Sequence, residues 1–165
     1  MFKKFIYLTL PILLSLFACT SNEKINLEEE RENVNKLLDN YILAHENKDI
    51  NLLLSCISDK PDILMIGTDE NELWTDKKAM GEAQKRAFNT FDKIKLSVRD
   101  KVLKMCNTGN SAWFYMRVDW YVESGGRNHK IDDIRTTGVL EKDNGKWGIV
   151  QLHLSVPVRG QVVEY

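Results

Sequence analysis

Four residues in the C-terminal third have the chemistry of an anion seat: Arg135, Thr137, Gln151 and His153. A guanidinium, a hydroxyl, an amide and an imidazole on one sheet face could hold a carboxylate by charge-assisted hydrogen bonds. Whether they meet depends on one hairpin. If Asp143-Asn144-Gly145 is a three-residue loop with glycine left-handed, Lys142 faces Lys146, Arg135 opposes His153 and Thr137 opposes Gln151. With a loop one residue longer, Arg135 opposes Leu152. Val150, Leu152 and Leu154 then line the interior and His153 turns outward. Both registers remain open, and the first is carried forward as the expectation. His153 and Asp119 are the candidate general acid/base groups. Arg135 also has a purely structural alternative, an ion pair with Asp119 or Glu72.

His45 and His129 are expected at the surface or a helix end. They have no metal-ligand spacing to each other or to His153, so no metal or cofactor is expected. Cys56 and Cys106 lack a Cys-x-x-Cys neighbour or a local histidine. They read either as two buried free thiols or as a disulfide permitted by export.

These side chains must be positioned by a chain that changes period midway. Asn26-Leu27-Glu28-Glu29 reads as a helix N-cap, followed by Val34, Leu37, Leu38, Tyr41, Ile42 and His45 on one helical face ending near Asn47. Asp49 caps a short second helix carrying Leu52, Leu53 and Cys56, and residues 63–66 read as a buried strand. Thr75 or Asp76 starts a third helix with Ala79, Met80, Ala83, Ala87 and Phe88 on one face. After Asp92 the period falls to two. Four long strands are expected, over residues 94–105, 111–123, 130–141 and 146–157, joined by Gly- and Asn-containing turns. Helices first and a meander afterwards predict an α+β domain, three helices on a curved, mainly antiparallel sheet. On the aromatic strand Phe114, Met116, Val118 and Trp120 should face the helices. Trp113, Tyr115, Arg117, Asp119 and Tyr121 form an outer set with the composition of a protein interface, which predicts a homodimer through the sheet.

The first residues are of a different kind. Lys3 and Lys4 precede an apolar run from Phe5 to Ala18, too short to span a bilayer and suited to the core of an export signal. It ends in Leu16-Phe17-Ala18-Cys19, which resembles a bacterial lipobox. The resemblance implies removal of residues 1–18, lipidation of Cys19, a tether over 19–26 and one domain over 27–165 on a membrane surface of the cell envelope. The chain has 165 residues, 23 basic and 24 acidic, with a mean hydropathy of -0.35. That is one globular domain without the basic footprint of a nucleic-acid binder. Loss of Lys3 and Lys4 leaves 21 basic against 24 acidic residues, a charge of -3.

Tyr41-Ile42-Leu43-Ala44, then Asp49 and Leu52-Leu53, and Trp74 before the third helix resemble the SnoaL-like, nuclear transport factor 2-like family. So does the tail: Arg135-Thr136-Thr137-Gly138-Val139-Leu140, Asp143-Asn144-Gly145-Lys146-Trp147, Ile149, His153 and Ser155. The resemblance implies a cone of helices against a curved sheet, dimeric, with an internal cavity. It implies a pocket drawn from Tyr41, Met65, Trp74, Phe114, Met116, Trp120, Arg135, Thr137, Gln151 and His153. Against the family's ketosteroid isomerases, Tyr41 matches the oxyanion tyrosine. Met65 and Ile66 stand where the base should be, and Thr137 falls near the second donor, so isomerase chemistry is not expected. The expectation is a small, partly apolar ligand, an anion among the candidates. An acid/base enzyme using His153, Asp119 or Tyr41 and a dimeric envelope module are the alternatives.

Overall fold

A computed structural model describes residues 25–158 and residue 160. The expected export signal, Cys19 and nearly all of the tether lie outside the described residues. The elements run α1 (Leu27–Glu46), α2 (Ile50–Cys56), β1 (Leu64–Ile66), β2 (Leu73–Trp74), α3 (Lys77–Thr90), β3 (Lys93–Met105), β4 (Ser111–Ser124), β5 (Arg127–Asp143) and β6 (Lys146–Ser155). Each helix begins where a polar side chain takes up free backbone N–H groups. Asn26 accepts from the Glu29 amide, Asp49 from Asn51 and Leu52, and Asp76 from Ala79.

The six strands form one sheet in the order β2-β1-β6-β5-β4-β3. The long meander is antiparallel, and β1 joins β6 in parallel, so the α+β cone expected from the change of period is the fold observed. All three helices lie on one face. Val34 and Leu38 of α1, Leu53 of α2, Met116 and Val118 of β4, and Leu140 and Ile149 are almost wholly buried in the core between them. All nine described elements draw on this core, which supplies the apolar burial that a domain of this size needs.

The last hairpin adopts neither expected register. Asn144 and Gly145 both have positive φ and close a two-residue turn, so Asp143 pairs with Lys146. An Asn-Gly pair suits this turn because its twist matches that of the strands. A bulge at Val150 then shifts the pairing again, setting Thr137 opposite His153 and Arg135 opposite Ser155. Two further bulges bend the sheet at one level, at Arg99 in β3 and at Asp132-Asp133 in β5, where Asp133 has φ +61°. Between them, the Asp119 carboxylate accepts from Arg99 at 2.6 Å and from the Asp133 backbone N–H at 2.9 Å. Cys56 is buried and Cys106 half-buried, and both are free thiols rather than a pair.

Candidate functional site

The protein's own side chains do not fill the cone. Near the C-terminal end of α1 they leave an open cavity of about 220 Å³. Tyr41 and His45 of α1, Leu53 of α2, Met65 of β1, Met80 of α3 and Leu152 of β6 form its buried floor. Thr68 and Glu72 of the β1–β2 turn, Gln84 of α3, Phe91 and Ile131 are its more exposed lining. The bulges help to make this space, because they bend the sheet beside Trp120, Ile131 and Ile134, all of which line it.

Tyr41 and His45 are four residues apart, so both rings fall on the buried face of α1, with centroids 4.6 Å apart. His45 is 3% exposed and meets Phe88 and Trp120 edge to face. Its Nδ1 lies 2.8 Å from the Tyr41 carbonyl oxygen. A carbonyl only accepts, so Nδ1 carries the proton and Nε2 is left as a lone-pair acceptor. Burial pushes the His45 pKa down to about 4, only partly offset by that hydrogen bond, and the ring is neutral near pH 7. Burial, and secondarily Cys56, hold the Tyr41 hydroxyl above its ordinary pKa, so it remains protonated. The Trp120 indole N–H is buried without a partner. Among the described residues Glu72 is the one charged side chain in the lining, and its carboxylate is engaged by the Thr68 and Asp69 amides at 2.8 and 3.2 Å.

Of the residues expected in the pocket, Tyr41, Met65, Trp74 and Trp120 line it. Phe114 and Met116 face inward but sit in solid core, Phe114 with its ring packed against Gly138. Arg135, Thr137, Gln151 and His153 do gather on one face of the sheet, but it is the outer one. The reason is parity: Ile134, Thr136 and Leu140 of β5, with Leu152 of β6, are buried inward, so their sequence neighbours must point out. The inward placing of Leu152 and Leu154 and the outward turn of His153 are what the longer-loop register required. Asp119 is absent from the lining and pairs with Arg99, not Arg135. The Asp133 amide, and after it Arg99, hold its carboxyl below the usual range, so it serves as an anchor for the bend.

His45 was expected at the surface or a helix end; it does lie in the last turn of α1, but buried in the cavity floor rather than at the surface. A signal was present, since His45 continues the apolar stripe through Leu38 and Tyr41. Among the described residues no group of three His, Cys, Asp or Glu side chains is placed to hold a metal ion.

A family model for the SnoaL-like domain matches residues 34–159. No curated protein matches the chain. Among solved structures, a nuclear transport factor 2-like protein from Salmonella enterica serovar Typhimurium superposes with a TM-score of 0.73 at 18% identity, covering 84% of this chain and 98% of its own. A candidate dehydratase of the NTF2-like family from Streptomyces avermitilis gives 0.70 at 12% identity, covering 79% and 99%. A protein of unknown function with a cystatin-like fold from Nostoc punctiforme gives 0.60 at 12% identity, covering 81% and 95%. At these identities the likeness establishes the fold.

Proposed function

The chain belongs to the SnoaL-like domain family, and on that premise we propose that it is an exported lipoprotein that binds a small, largely apolar, uncharged molecule in its cone. The observation that carries this reading is the cavity itself: about 220 Å³, lined mainly by apolar and aromatic side chains, with a few polar atoms on its floor. Among the described residues the lining contains neither Lys nor Arg and does contain Glu72, so no described side chain there supplies a counter-ion for the anionic ligand suggested by Arg135. An ionised carboxylate would be desolvated without compensation.

Binding is favoured over proton transfer by magnitude. A general base works best with a pKa near the operating pH, and His45, at about 4, lies roughly three units below neutrality. An enzyme of the dehydratase type is the second reading. The adjacent Tyr41 hydroxyl and free His45 Nε2 in a buried site favour it, as does the candidate dehydratase among the fold's relatives. We place a homodimer contact on the outer face of the sheet. Val102, Trp113 and Leu64 are 48%, 50% and 37% exposed there, beside Tyr115.

A thermal-shift screen of neutral monocyclic and bicyclic aromatic compounds tests the ligand reading. Several should raise Tm by a few degrees, and Leu154→Trp, which fills the cavity, should abolish the response. No stabilisation by any of them, or stabilisation that survives Leu154→Trp, would remove the cavity as the site.

A further inference from the structure

We infer that the cavity selects a hydroxylated monocyclic aromatic, a phenol, by holding its O–H group between His45 Nε2 and the Tyr41 hydroxyl. This rests on the ligand-binding reading above and adds the chemical class. The polar atoms of the floor are not balanced within the protein. His45 spends its only proton on the Tyr41 carbonyl, 2.8 Å away, which leaves an acceptor at Nε2. The Tyr41 hydroxyl, one helical turn earlier on the same face, has a proton to donate. A single ligand hydroxyl supplies both complements, donating to one group and accepting from the other. An ionised carboxylate only accepts, so it cannot satisfy Nε2. An ether or ketone fails for the same reason.

Size and lining restrict the rest of the ligand. A dry cavity of about 150 Å³ lined by aliphatic and aromatic groups takes up benzene. The cavity here, at about 220 Å³, has room for one ring with substituents. His45, Trp120, Trp74 and Phe91 offer aromatic edges and faces to that ring. The His45 and Tyr41 polar atoms lie on the buried floor, while Thr68, Glu72 and Gln84 belong to the more exposed lining, so the hydroxyl end of the ligand is the one that enters first.

Isothermal titration of the chain without residues 1–24, which retains all nine elements, with phenol, anisole and toluene tests this. Phenol should bind about tenfold more tightly than anisole or toluene, the value of one buried hydrogen bond. In His45→Phe the preference of phenol over toluene should shrink to the part that the Tyr41 hydroxyl supplies. Tyr41→Phe should narrow the gap in part. Toluene binding with no preference for phenol, or a preference left undiminished by His45→Phe, overturns the assignment and leaves the cavity reading standing. Absence of binding by all three overturns the cavity reading as well. The phenol-to-anisole ratio of the unaltered chain carries the test if His45→Phe does not fold.

Discussion

His45 shows how burial changes what a side chain does. On an exposed helix end it would titrate near 6.5, whereas in the cavity floor its pKa is about 4. Between those values the unfolded chain binds a proton that the folded chain does not, so stability must fall as pH falls from about 6.5 to 4. Above 6.5 the contribution is complete. At pH 4 the loss is on the order of 2–3 kcal/mol. Denaturant titrations at pH 7 and pH 4 should therefore show the unaltered chain losing that much more stability than His45→Phe. Equal losses in both chains would place the imidazole in water. The carboxylates of the outer face titrate in both chains alike and cancel in the difference.

At the scale of the elements, the sheet decides which side chains meet. Its inner face lines both core and cavity, and the hydrogen bonds that Asp119 accepts from Arg99 and the Asp133 amide hold two bulges at the same level, so β3, β4 and β5 bend together. Arg117 adds a 2.7 Å ion pair to Asp100 on the same outer surface. The outer face carries Trp113 and Val102 in the open and is bordered by these charges. An aromatic anchor with a polar rim is the anatomy of an interface. Sedimentation should give twice the chain mass, and Trp113→Glu should return it to one chain, weakening association by about 2 kcal/mol or more. A monomer before substitution would leave this face a free surface.

The whole molecule is polar in the geometric sense. Ile25, the first described residue, packs beside Gly109 at one end of the cone. Over the nineteen residues from Leu27 to His45, α1 carries the chain about 27 Å to the cavity. An anchor at Cys19 would hold the protein by the end remote from its ligand site, so ligand would exchange with the aqueous side. Several acyl chains, each worth about 0.8 kcal/mol per buried methylene, make such attachment durable. Cys19→Ser should abolish incorporation of labelled fatty acid and block maturation of the chain. Unchanged labelling would remove the lipoprotein reading. None of the described helices is long and apolar enough to cross a membrane.

Much of this was legible in residue order. Three capped helices followed by a four-strand meander follow from period and from Asn26, Asp49 and Asp76, because caps and periodicity act locally. The inner face of β4 was also legible, since Phe114, Met116, Val118 and Trp120 are apolar throughout. The face occupied by Arg135 and His153 was not. Strand residues alternate, so one unforeseen bulge at Val150 and a turn shorter by one residue redraw every pairing along the hairpin. Which inward residues border a void was equally hidden, because Phe114 and Trp120 share a face while only Trp120 stands beside the bend. The sequence by itself determined the three helices, five of the six described strands, the α+β order and the two faces of the aromatic strand. The tertiary structure decided that His45 borders a cavity and is neutral there while Arg135 and His153 lie outside it, since burial and register are set by contacts between segments far apart in the chain.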